Sequence, residues 1–187
     1  MHNTFLIADP HLCHQGMVMF KRGDGSPLRP FATIEEHDET MIERWNKLVK
    51  PHDRVQVMGD VVMRRRNLPI LKRLNGKLRL IAGNHDIFKL KDYLPYFDDI
   101  KAFHVMDNFA LTHIPIHVNC LARFKGNVHG HIHQHRVLRK KFFGLIKEID
   151  PRYYCVSAEH TDYAPVPWDI VRKKFYHQLG LEIHNNS

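Results

Sequence analysis

The stretch Thr4-Phe5-Leu6-Ile7-Ala8-Asp9-Pro10-His11 decides how the chain is read. A short apolar run stops abruptly at polar residues, the pattern of a buried strand that delivers side chains at its carboxyl end. Open α/β sheets keep their sites there. Arg54 to Met58 repeats the arrangement, with Val55 and Val57 in alternation and Gly59-Asp60 at the end. Leu78 to Ala82 repeats it again and delivers Gly83-Asn84-His85-Asp86. Three strands that each end in metal-capable residues predict an α/β or α+β fold with one site along a sheet edge.

Between these strands, Thr33 and Glu36 form a capping box, and Ile34, Met41, Ile42, Trp45, Leu48 and Val49 keep helical spacing up to Pro51. Asn67 is expected to cap a short helix with Pro69 in its first turn and a stop at Asn75-Gly76. A helical patch follows at Leu90 to Leu94. Ile100 to Met106 and Phe109 to Thr112 read as a hairpin, because Asp107 and Asn108 tolerate the left-handed backbone of a tight turn. Val137 to Ile149 alternates apolar and basic residues without a clear period, which suits a hairpin or a mobile flap. Tyr153 to Ala158 reads as a late strand, and Trp168, Val171, Phe175 and Leu179 mark a closing helix ended by Gly180.

A second informative stretch is Val128-His129-Gly130-His131-Ile132-His133-Gln134-His135, with four histidines at every second position. In an extended segment this alternation turns all four rings to one side, with Cα atoms ~6.6 Å apart on that side. Two such imidazoles can lean towards metal ions ~3.5–4 Å from each other. A solvated strand face rich in histidine would look the same, so the other ligands must decide. Collected, Asp9, His11, Asp60, Asn84, His113, His131 and His133 are oxygen or imidazole donors without a thiolate. Singly, Asp9 and Asp60 read as helix caps, Asn84 as a turn residue and His113 as a half-buried packing residue. Jointly they suit two divalent ions, manganese ahead of iron, nickel or zinc, better than a closed zinc site built on cysteines.

The 187 residues suit a single domain spanning 1–187. With 43% hydrophobic and 26% charged residues, disordered and fibrous classes are excluded. Three scattered cysteines argue against a disulfide framework and for a reducing compartment. No apolar run approaches a membrane span, so a soluble, cytoplasmic protein with no membrane partner is expected. A net charge of +8 points to an anionic partner. The clusters Arg139-Lys140-Lys141 and Arg172-Lys173-Lys174 read first as solvated faces, whereas Arg64-Arg65-Arg66 borders whatever Asp60 serves.

The ordered set Asp9-x-His11, Gly59-Asp60, Gly83-Asn84-His85-Asp86, His113 and Gly130-His131-x-His133 resembles that of the calcineurin-like metallophosphoesterases. Arg29-Pro30-Phe31, Trp45-Asn46, Leu74-Asn75-Gly76, Tyr163-x-Pro165 and the Val156-Ser157 segment resemble the small predicted phosphoesterases of bacteria and phages within that superfamily. The resemblance implies a four-layer α/β/β/α sandwich with two mixed β-sheets. It implies that Asp9, His11 and His133 hold one metal, that Asn84, His113 and His131 hold the other, and that Asp60 bridges. A water or hydroxide between the two ions would attack phosphorus. His85 would protonate the leaving oxygen, and Asp86 would fix the tautomer and orientation of His85.

Two departures disfavour a protein serine/threonine phosphatase: Met63 stands where those enzymes carry a second aspartate, and Asp86 stands in place of glutamate. Arg64 falls where an arginine could grip a substrate phosphate, or could be only an exposed cation. His14 either lines the pocket or supports a ligand from behind. His129, His135 and the remaining histidines are expected to flank, pack or lie on the surface. The leading functional expectation is a phosphodiesterase acting on a nucleotide or nucleic-acid phosphodiester. A phosphomonoesterase acting on a small phosphate ester is the alternative, and a non-catalytic binding scaffold on the same fold is an alternative of another class.

Overall fold

Burial on both faces explains why the first strand, Phe5 to Ala8, reads as an unbroken apolar run. In a computed structural model describing residues 2–180, the elements in chain order are β1 (Thr4–Ile7), α1 (Gly16–Met19), α2 (Ile34–Leu48), β2 (Arg54–Val57), β3 (Lys77–Ile81), α3 (Leu90–Tyr93), β4 (Asp99–Lys101), β5 (His104–Met106), β6 (Phe109–Leu111), β7 (Gly126–His129), β8 (Leu138–Lys141), β9 (Ile146–Ile149), β10 (Tyr153–Cys155), β11 (Val166–Pro167) and α4 (Trp168–Leu179). One mixed sheet has the order β11-β1-β2-β3-β4, with β1 to β4 parallel and β11 antiparallel at its edge. A second mixed sheet has the order β10-β7-β6-β5, and β8 pairs with β9 in a small antiparallel sheet of its own.

The period of two along each strand sorts its side chains between two cores. Phe5, Ile7, Val55, Val57, Leu78 and Leu80 face Met41 and Trp45 of α2 and Leu68 and Leu71 of a 3-10 turn. Leu6, Ala8, Met58 and Ile81 face the opposite way, onto Phe109, Leu111, Val128 and Val156 of the second sheet, where α4 adds Trp168, Val171 and Phe175. The two sheets therefore stack face to face, in the α+β sandwich that the resemblance implies. Each fully buried side chain of this kind contributes roughly 1.5–3 kcal/mol. The outer side of the second sheet is covered by the segment after His113, where Asn127 Oδ1 accepts from Ile116 N and Tyr153 donates to Ile116 O.

Helix α2 begins as expected: Thr33 Oγ1 accepts from Glu36 N at 3.1 Å. Glu36 Oε2 in turn accepts from Ala32 N at 2.7 Å. The expected Asn67-capped helix is instead a 3-10 run, Arg65–Arg73, that starts from Arg64 without a side-chain cap. Val62 is still bridged to Leu12, so the chain turns as soon as it leaves that contact and Asn67 already lies inside the turn. The expected strand Ile100 to Met106 divides into β4 and β5, which belong to different sheets. Its partner turn stands, with Asp107 and Asn108 at φ of 50° and 66°. Val137 to Ile149 holds the β8–β9 hairpin. Among the described residues no helix is long and apolar enough to cross a membrane. His184, expected on the surface or in packing, lies outside the described residues.

Candidate metal centre

Asp9 follows β1, Asp60 follows β2 and Asn84 follows β3, so three neighbouring parallel strands deliver them to one edge. His113 follows β6, and His131 and His133 follow β7, so the second sheet supplies the facing side. The backbone then departs from regular structure at the functional side chains themselves. Asp9, His11, Asp60, His131 and His133 all have left-handed φ, between 47° and 70°. Such a conformation costs on the order of 1–3 kcal/mol at a non-glycine residue and persists where the surroundings impose it, most often at functional sites.

This geometry corrects the expectation of four histidines alternating along one strand face. Strand β7 ends at His129, and the chain turns at Gly130. A Cβ at Gly130 would fall 2.6 Å from Asp9 Oδ2, so a side chain there would collide with the site. His129 points the other way, buried against Tyr153, with its Nδ1–H donating to Gly130 O. His131 and His133 reach the site because the backbone turns left-handed at each of them. His135 is exposed.

Two groups of donors result. Ligand atoms of Asp9, His11 and His133 lie within 4.8 Å of one another, as do those of Asp60, His113 and His131. Asp60 Oδ2 sits between the groups, 3.7 Å from His11 Nε2 and 3.4 Å from His113 Nε2. Asn84 Oδ1 lies 3.0 Å from the same His113 nitrogen. Since His113 Nδ1–H donates to Met58 O at 2.8 Å, its Nε2 turns towards two oxygen acceptors. Three electron-rich atoms converging in this way call for a proton or a cation among them. Burial works to lower the His113 pKa, but Asp60, Asp9 and the Met58 carbonyl outweigh it and raise it.

The donor set fits metal ions. Asp9 Oδ1 and both ring nitrogens of His11 are buried without a hydrogen-bond partner among the described residues. Leaving such atoms unsatisfied costs roughly 1–3 kcal/mol each, a cost that coordination removes. Burial, and then the charge of Arg29, press the His11 pKa well below its ordinary value, so the ring is neutral and its lone pair free. Burial favours raising the Asp60 carboxyl, yet the His113 ring and the His85 N–H hold it at about 2. Both states are those a cation needs.

Several supporting residues carried no assigned role in the sequence. Ser157 Oγ donates to Asp9 Oδ2 at 2.6 Å, and His131 N donates to the same oxygen at 2.9 Å, leaving Oδ1 aimed into the site. Glu159 Oε1 accepts from His133 Nδ1 at 3.0 Å and from Arg29 Nε at 2.8 Å. Arg29 is fully buried and also donates to Pro10 O, Asp9 O and His37 Nε2. His37, expected on the surface or in packing, is a buried partner that passes this network to Asp38. Against burial, which would raise it, His133 and Arg29 hold the Glu159 carboxyl at about 2. Partners separated by 130 and 148 positions leave no local pattern to find, although Arg29 and Val156-Ser157 stood within the resemblance.

Asp86 does not orient His85. Its carboxylate accepts from Asp60 N, Val61 N and Gly83 N, at 2.8, 3.1 and 2.8 Å, and so clasps the ends of β2 and β3 together. His85 is exposed at the mouth, its ring 5.9 Å from that of His11. His14 packs 5.6 Å from His11 with a buried, unpartnered Nδ1 among the described residues. Arg64 is exposed near enough to help lower the His14 pKa, a shift in which burial and His85 weigh more.

No protein-family model matches the chain. An uncharacterized protein of Methanocaldococcus jannaschii is 29% identical over 179 residues, covering 92% of this chain and 91% of that protein. The Gene 66 protein of Mycobacterium phage L5 is 30% identical over 92 residues, 46% of this chain and 41% of its own length. The crystal structure of a protein of unknown function from Aquifex aeolicus superposes with a TM-score of 0.65 at 21% identity, over 92% of this chain and 99% of that one, which establishes a shared fold. A conserved uncharacterized protein of Streptococcus pneumoniae, a predicted phosphoesterase, reaches a TM-score of 0.37 at 12% identity over 83% and 71% of the two chains, too slight a likeness to bear on function.

Proposed function

We propose that the chain is a metal-dependent phosphoesterase of the calcineurin-like kind, acting on phosphodiesters of nucleotides or nucleic acids. The observation that carries this reading is the position of Asp60 Oδ2, within 3.7 Å of one donor group and 3.4 Å of the other. A single buried carboxylate could thus serve two ions, of which Asp9, His11 and His133 would hold one and Asn84, His113 and His131 the other. Divalent ions, if held there by these residues, would supply the positive charge that hydrolysis at phosphorus needs.

The chain's own groups account for the remaining steps. His85, exposed beside His11, can reach a leaving oxygen and protonate it. Its exposure suits a proton donor that must be reloaded from solvent. Arg64 and His14 border the mouth, where a guanidinium would grip a non-reacting phosphate oxygen. Ser157 and Glu159 hold Asp9 and His133 in place, so that binding an ion requires little rearrangement.

The test is hydrolysis of bis-p-nitrophenyl phosphate by chelated protein after adding back manganese, iron, nickel or zinc. Turnover restored by at least one metal and abolished by Asp60→Asn is the expected result. Preference for mono-p-nitrophenyl phosphate would shift the substrate to monoesters. No hydrolysis with any metal, and no change of melting temperature on chelation, would overturn the proposal.

A further inference from the structure

The hairpin of β8 and β9 is an arm that exposes apolar side chains on its strands, Leu138, Ile146 and Ile149, and most fully at its turn. Its tip is apolar and open to solvent, with Phe142 67% and Leu145 86% exposed and Phe143 bare beside them. Nothing among the described residues covers these side chains, although the turn holds Phe142 and Phe143 at left-handed φ of 49° and 54°. Behind the tip come Arg139, Lys140, Lys141 and Lys147 against one acid, Glu148.

The hairpin register divides those cations between two faces. Glu148 lies opposite Arg139 and pairs with both Arg139 and Lys141. Lys140 lies opposite Lys147 on the other face, and neither has a carboxylate partner among the described residues. Like charges directly across a hairpin oppose its formation, and an anion between them reverses the sign.

We propose that this arm grips a polynucleotide, with Lys140 and Lys147 on backbone phosphates and Phe142 and Phe143 against or between the bases. The inference rests on the phosphoesterase reading and sharpens it, making the substrate a polymer. Paired cations beside exposed aromatic side chains are the chemistry that tracks phosphates and stacks bases, and apolar tips of this kind wedge between base steps. The arm begins at Leu138, and a cleft lined by His131, His133, His135, Arg136 and Val137 runs from the candidate site to its base. Arg64, Arg65 and Arg66 are exposed beyond the end of β2 and add basic charge. A second copy is a poor occupant, since a cationic arm would meet a chain of net charge +8.

Binding of a fluorescent single-stranded oligonucleotide of about 20 nucleotides, measured by anisotropy in chelator so that nothing is cleaved, tests this. Phe142→Ser with Phe143→Ser is expected to weaken binding ~10–100-fold. Lys140→Gln with Lys147→Gln is expected to lower the log–log salt slope by roughly 1.4. Both double variants should keep wild-type turnover of bis-p-nitrophenyl phosphate. Arm-dependent oligonucleotide binding by a protein that hydrolyses the ester with none of the metals, and whose melting temperature chelation leaves unchanged, would sink the phosphoesterase reading and leave the arm's role standing. Unchanged oligonucleotide affinity and slope in both variants would overturn the proposal. So would arm-dependent sedimentation with phosphatidylserine vesicles, or a dimer dissociated by the tip variant, if oligonucleotide binding is unaltered.

Discussion

Replacing Glu159 by glutamine separates support of the metal centre from its chemistry. The side chain is fully buried, and one oxygen accepts from both His133 and Arg29. Glutamine keeps that oxygen and the shape, and places its amide where Oε2 has no partner among the described residues. Only the charge is lost. A carboxyl held at about 2 instead of 4.5 contributes roughly 3 kcal/mol of stability, present above pH 4.5 and lost as pH falls towards 2. Removing the charge strands the buried Arg29 cation, a loss of about 3 kcal/mol, although Asp9 O and Pro10 O still accept from it. His133 also becomes a less basic, less firmly oriented ligand, which should weaken metal binding ~10–100-fold. Urea unfolding in chelator reads the first effect, and competition against a chromophoric chelator reads the second. Wild-type metal affinity in a folded Glu159→Gln protein would refute the argument that this carboxylate prepares His133.

Three further outcomes follow from the geometry. His85→Ala should cut turnover of bis-p-nitrophenyl phosphate ~10²–10⁴-fold while leaving metal affinity within about twofold, and a parallel loss of metal would make His85 a ligand instead. Asp86→Ala leaves three backbone N–H groups without their acceptor and should destabilise the fold by about 3 kcal/mol or more, as measured by urea unfolding. His129, held at about 4 chiefly by burial, is neutral in the fold and protonates more readily when unfolded. Its contribution is therefore intact above pH 6.5 and falls by roughly 3 kcal/mol as pH drops to 4. His129→Gln should flatten that part of the stability profile in chelator, and identical profiles would refute it.

Local chemistry explains what the sequence determined by itself. A strand packed between layers must carry apolar side chains towards its core, so the apolar run of β1, the alternation of β2 and β3 and the polar residues at their ends stand out in any reading. The spacing of Ile34, Met41 and Trp45 marks α2 for the same reason, since a helix packing on a sheet needs one apolar stripe. Asp9, His11, Asp60, Asn84, His113, His131 and His133 are therefore legible in the sequence as one set of donors. Only the tertiary structure decided how they meet. The alternating histidines suggested one strand face, but left-handed turns at His131 and His133 bring those two rings inward while His129 is buried behind the sheet. The resemblance gives Asp86 to its neighbour His85, yet three backbone amides at the ends of β2 and β3 claim its carboxylate. Arg29, Ser157 and Glu159 support residues far along the chain, because a buried charge must find its partner in space, and sequence proximity does not provide one.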